Sequence, residues 1–143
     1  MSEKFSLLKM ENIKEIEKQK ILDCNRFLNG YNLKLTKEDV KEIIEKRNDS
    51  LRQTGRIELG EWIVDKMIRQ FCDSQYIVQE NLKYTIDELI NIFYYYKSET
   101  NDLISDDELL KIMRRCYDDI AQGDLEYLSG TILEQVRKNI IRK

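Results

Sequence analysis

No proline occurs in the chain, and glycine appears five times, at positions 30, 55, 60, 123 and 130. Proline is the strongest interrupter of a helix, and glycine is the residue that most readily takes a positive φ. A β-sandwich or small barrel needs a tight turn every several residues, and the residues that build such turns are missing. Long helices joined by short loops are what this punctuation permits. The expected fold class is all-α, a compact single-domain bundle of about five to six helices with residues 1–143 as one helical domain.

Apolar residues recurring at helical pitch place the elements. A first helix is expected from Ile13 to Asn29, stopping at Gly30, with a wobble or a late start where Gln19 and Lys20 interrupt its stripe. A second starts behind Thr36, with Asp39 at the capping-box position. It carries Val40, Ile43, Ile44, Arg47 and Leu51 on one face and closes at Gly55. The third, Gly60 to Cys72, has so wide an apolar arc around Trp62, Met67 and Phe71 that it should be the most buried. A fourth begins near Gln75 or Gln79 and continues to about Lys97. Ser105 and Glu108 cap a fifth, Asp106 to Gln122. A sixth runs from Asp124 through Ile140 with an interruption at Gly130.

Charge narrows the function classes. Lysine and arginine number 24 against 27 acids, a net charge of −3 with both signs interspersed, which is an ordinary solvated surface and not a nucleic-acid footprint. Arg137, Lys138, Arg142 and Lys143 form the one basic concentration, and a helix C-terminus favours cations there. Cys24, Cys72 and Cys116 are too far apart and too few for a disulfide framework, so a reducing, cytoplasmic setting is expected. No stretch has the length and apolarity of a membrane span, and Glu3, Lys4 and Lys9 break up any secretory leader.

Histidine is absent, which removes Ser-His-Asp and Cys-His catalysis and the usual zinc sites. No glycine-rich phosphate loop is present. Four segments remain. The stretch Lys97 to Glu108 has partial EF-hand character, with Glu99, Asn101 and Glu108 at ligand positions. Lys97 stands where the first carboxylate belongs and Asp102 where glycine makes the turn, so a helix–loop–helix joint is the better reading and no metal site is expected. Gly55-Arg56-Ile57-Glu58-Leu59-Gly60 could present Arg56 as an anion clamp, or could simply be a helix end followed by an acid at the next N-terminus. Cys72 beside Asp73 is a poor nucleophile, because the carboxylate raises the thiol pKa. Tyr94-Tyr95-Tyr96 point in three directions around a helix, so at least one should be exposed or at an interface.

Six motifs stand along the chain in order: Leu22-Asp23-Cys24-Asn25, Leu33-x-Leu35-Thr36, Gly55-Arg56-Ile57-Glu58-x-Gly60, Phe71-Cys72-Asp73-Ser74-x-Tyr76-Ile77, Phe93-Tyr94-Tyr95-x-Lys97-x-Glu99 and Asp106-Asp107-Glu108-Leu109. With these the sequence resembles a clostridial family of all-helical proteins catalogued as a domain of unknown function. The resemblance implies a bacterial cytosolic protein and brings no catalytic residue or cofactor with it. Its polar members, Arg56, Glu58, Asp73, Tyr76, Lys97 and Glu99, are the candidate binding residues.

The leading functional expectation is a non-catalytic helical interaction module that meets a protein partner or a second copy of itself, without nucleic acid, membrane, metal or cofactor. The first alternative is a small-ligand binder or enzyme in which Arg56, Glu58, Lys97 and Glu99 share a pocket. The last is a DNA-binding helix-turn-helix regulator, with helix pairs at Gly30 and Gly55, which the acidic balance opposes.

Overall fold

The computed structural model of the chain describes residues 14–58 and 62–141, and among these every regular element is a helix. Helix α1 covers 14–23, and α2 (Asn25–Leu28) follows a break at Cys24. Then come α3 (Lys37–Thr54), α4 (Ile63–Phe71), α5 (Leu82–Glu99), α6 (Asp106–Asp119), α7 (Leu125–Tyr127) and α8 (Leu133–Ile141), the last two joined by a π-turn over Leu128–Ile132.

The first helix behaves differently from its expected course. It breaks at Cys24, in the region of the imperfect stripe, and then tightens into a 3₁₀ turn, Asn29–Tyr31. The left-handed residue that ends it is Asn32, φ 59°, not Gly30, since asparagine tolerates this conformation better than most side chains. Ile13 lies outside the described residues. The extended link to α3 is held by two side-chain amides. Asn25 donates to the Leu35 carbonyl at 3.0 Å and accepts from the Leu35 amide at 2.8 Å. Gln79 does the same for Lys34, accepting at 2.7 Å and donating at 2.9 Å. With its backbone polar groups so satisfied, this link can bury Leu33 and Leu35.

Helix α3 starts as its sequence dictates. The Asp39 amide donates to Thr36 Oγ1 at 3.0 Å and the Thr36 amide donates to Asp39 Oδ2 at 2.9 Å, so the shorter acid closes the capping box. Gly55, φ 66°, ends the helix, and the Arg56 amide returns to the Leu51 carbonyl at 2.9 Å. Helix α4 is shorter than expected, beginning after a left-handed Trp62, while Gly60 lies outside the described residues. Six of its nine residues are buried, as its wide apolar arc foretells. Residues 73–78 form a loop, a 3₁₀ turn at Gln79–Asn81 follows, and α5 then extends to Glu99. Helix α6 is capped by Ser105, which accepts from the Glu108 amide at 3.2 Å. It ends three residues earlier than its pattern suggests, because Gln122 and Gly123 both take positive φ and turn the chain toward α7.

Helix α5 is the axis of the bundle. It packs along α3 and also touches α4, α6, α7 and α8, while α4 rests on α6. One hydrophobic core runs from Ile21 to Leu133 through Ile43, Met67, Leu89, Phe93, Met113 and Tyr117. No described helix is long and apolar enough to cross a membrane. Leu89→Ala removes a side chain that is 0 % exposed at the centre of α5 and should cost about 2–5 kcal/mol in urea unfolding. Tyr84→Ala, on the same helix but 63 % exposed, should cost no more than about 0.5 kcal/mol. Equal losses would contradict this placement of α5.

Candidate functional site

The six candidate residues divide into two clusters and one outlier. Just past the α3 C-terminus, Arg56 clamps Asp102 in a bidentate pair at 2.6 and 3.1 Å. Asp102 and its neighbour Asn101 both have left-handed backbones, φ 60° and 53°, which close the end of α5 and turn the carboxylate back toward α3. The hydrogen bond from Arg56 holds the Asp102 carboxyl below its ordinary value, with Lys97 adding to the effect. Lys97 is 6 % exposed. Its ammonium donates to the Ile104 carbonyl at 2.7 Å and pairs with Asp106 at 2.8 Å and Asp102 at 3.6 Å. The oxygens of the partial EF-hand segment thus close on an ammonium group of the chain itself, and among the described residues no cluster of acids, cysteines or histidines could hold a metal.

Glu58, two positions beyond Arg56 in the same loop, completes this cluster. It accepts from the Ile63 amide at 3.2 Å and from the hydroxyl of the buried Tyr94. Burial, reinforced by the Glu58 charge, pushes the Tyr94 phenol well above its usual range. Arg56, Glu58 and Lys97 therefore do converge, bridged by Asp102 and Tyr94. Glu99 does not join them and lies near Arg137 of α8.

Asp73 and Tyr76 sit elsewhere. Asp73 pairs with Arg114 at 2.6 Å; Arg114 also holds Asp118 at 2.7 Å, and Ser74 donates to Asp118 at 2.7 Å. Tyr76 meets Tyr117 edge-on at 6.2 Å, with Gly123 beneath it so closely that a Cβ there would fall 2.9 Å from Tyr76 Cβ. Asp106 and Asp118 mark the two ends of α6, roughly 18 Å apart at the rise of an α-helix, so these clusters are separate. In both, the charged groups are already engaged, Arg56, Lys97 and Asp73 in ion pairs and Glu58 by the Ile63 amide and the Tyr94 hydroxyl. Such pairs fasten loops to helices; a ligand would first have to break them.

The cysteines are sequestered. Burial and Asp73 raise the Cys72 thiol, and burial raises Cys116. Cys24 donates to Asp65 at 3.1 Å, and burial with that bond raises its pKa strongly. Asp65 in turn is held by Arg69.

Two concave surfaces, a groove and a cleft, are lined by none of the six candidates. A groove of about 790 Å³ runs between α3, α5 and the α7–α8 segment. One wall is a stripe of α5, Tyr84, Glu88, Asn91 and Tyr95, spaced so that all four share a face. Opposite stand Ser129 and Gly130 of the π-turn, and a π-turn within a helix is frequent at functional sites. Tyr96 donates its hydroxyl to the Ser129 carbonyl, and Ser50 donates to Asn91, so the groove floor is built of fixed polar contacts. Of the three consecutive tyrosines, Tyr94 and Tyr96 are buried and Tyr95 is 45 % exposed. Glu88, Glu126 and Glu134 line the groove, and among the described residues no lysine or arginine does; Arg137 engages Glu134 from outside at 2.7 Å. Sequence reasoning missed this face, although the spacing of Tyr84, Glu88, Asn91 and Tyr95 was a readable signal.

The family of unknown function DUF6323 matches residues 20–143, which include all six motifs, and the chain belongs to it. No curated protein and no solved structure matches the chain.

The Arg56–Asp102 clamp makes a pH-dependent prediction. Asp102→Asn keeps a residue that tolerates the left-handed backbone and removes the charge. It should lower stability at neutral pH by about 1 kcal/mol, a modest figure because the carboxylate is half exposed to solvent. A carboxyl held below its ordinary value stabilises the fold above that value and ceases to do so as the pH falls through the lowered one. Urea titrations of wild type and variant should therefore converge below pH 3.8, the ordinary value; a gap independent of pH would contradict the clamp.

Proposed function

Starting from that family membership, we propose that the protein is a non-catalytic binding module whose α3–α5–α8 groove receives a segment of a partner protein carrying lysine or arginine. The groove carries this reading. Its volume of about 790 Å³ and its open form suit an extended or helical segment. Its carboxylates, with no cation among the described lining residues, complement a basic segment. Tyr84 and Tyr95 offer exposed rings on which aliphatic stems and cations can rest.

The alternative of a reactive or ligand-holding pocket at Arg56, Glu58 and Lys97 draws less support, because each of these groups is engaged by the chain itself and none lines the groove. A duplex-DNA role fares worse still, since the groove is acidic. A reducing bacterial cytoplasm fits three buried free thiols, and the clostridial origin suggested by the motifs belongs to the same proposal.

A selection of random twelve-residue peptides against the immobilised full chain tests it. Enriched sequences should carry lysine or arginine beside apolar residues. Tyr84→Ala/Tyr95→Ala should weaken the best of them at least about tenfold, roughly 1.4 kcal/mol, with an unchanged circular dichroism spectrum. Enrichment of acidic peptides, or binding indifferent to the double substitution, would overturn the proposal.

A further inference from the structure

A second concavity differs in chemistry from the acidic groove. A cleft of about 420 Å³ opens between α1, α4 and α6, within the range of small-molecule sites. Four of its lining side chains are cations and two are carboxylates, on a chain whose net charge is −3. Lys66 is matched by Asp107 at 3.2 Å and Arg69 by Asp65. The remaining cations, Lys20 from α1 and Lys111 from α6, make no ion pair among the described residues. Cations gathered along one concavity raise a local positive potential that a small anion can relieve.

The indole of Trp62 lines the same cleft. Trp62 has φ 54° and ψ 45°, a left-handed backbone that a bulky side chain adopts only at an energetic cost. Such residues cluster where a side chain must be aimed at a ligand. The Lys20 ammonium lies 5.1 Å from the centre of the indole ring. That cation–π contact is exchangeable: a flat ligand ring can take the place over the indole while the flexible lysine turns to the ligand's charge.

From this juxtaposition of two lysines without an ion pair among the described residues and an indole in the same cleft, we propose that the α1–α4–α6 cleft binds a nucleoside monophosphate or diphosphate, its base on Trp62 and its phosphate between Lys20 and Lys111. The site is independent of the peptide groove and shares no lining residue with it.

Trp62 is the chain's one tryptophan, so its fluorescence reports on this cleft alone. Titration of the full chain at low salt with AMP or ADP should quench it saturably below about 1 mM. Inorganic phosphate and adenosine should each do so at least about tenfold more weakly, roughly 1.4 kcal/mol. Lys20→Ala/Lys111→Ala should weaken AMP binding by about the same factor with its helical spectrum intact. The Tyr84→Ala/Tyr95→Ala protein should bind AMP as wild type does, which separates this result from the fate of the groove. No saturable quenching, equal response to phosphate or adenosine, or a lysine double variant with wild-type affinity would overturn the proposal.

Discussion

Burial of α5 on several sides at once is the interaction on which the rest of the molecule depends. Its residues Leu82, Ile86, Leu89, Ile90 and Phe93 lie within the core, and α3, α4, α6, α7 and α8 all rest on it. A helix apolar around most of its circumference has few stable placements other than the centre of a bundle. Tyr84, Glu88, Asn91 and Tyr95 form the polar stripe of α5 that lines the groove. Architecture and candidate function are thus two consequences of one amphipathic pattern.

Charges gathered around this axis, buried or partly exposed, set the loops. Arg47 pairs with Glu17 at 2.6 Å, both largely withdrawn from solvent, and ties α1 to α3. Lys97 gathers Asp102, Asp106 and the Ile104 carbonyl, fixing the joint between α5 and α6. Arg56 and Glu58 fasten the link after α3 to Asp102 and Tyr94. Buried pairs of this kind contribute little net stability relative to apolar packing, yet leaving one partner unmatched is costly. Their effect is to exclude other loop arrangements.

The sequence was most legible where local chemistry decides the outcome. Thr36 with Asp39, Ser105 before α6 and Gly55 at a left-handed end all act within one turn of backbone, and each is where its pattern indicates. It was less legible where distant residues decide. Nothing near Gly30 foretells that the turn will pass to Asn32, because that depends on Asn25 and Gln79 gripping the following link. The polar motif residues proved legible as important and misleading as to role. Arg56, Glu58 and Lys97 come together, but around Asp102 and Tyr94, and only a folded chain shows that each charge already has its partner. Asp73 and Tyr76 belong to the other end of α6, and Glu99 faces α8. The groove as a whole was not legible, because the wall facing the α5 stripe, Ser129 and Gly130, comes from a π-turn whose geometry has no simple sequence period.

The most direct measurement is a map of backbone amide shifts by nuclear magnetic resonance as a selected basic peptide is added to the labelled protein. Perturbations should concentrate in 50–54, 84–96 and 125–134, the three segments that enclose the groove, and leave Arg56 and Asp102 in place. Shifts centred instead on Arg56, Glu58 and Lys97 would mean that the charged latch, not the outward stripe of α5, is the surface that meets the partner.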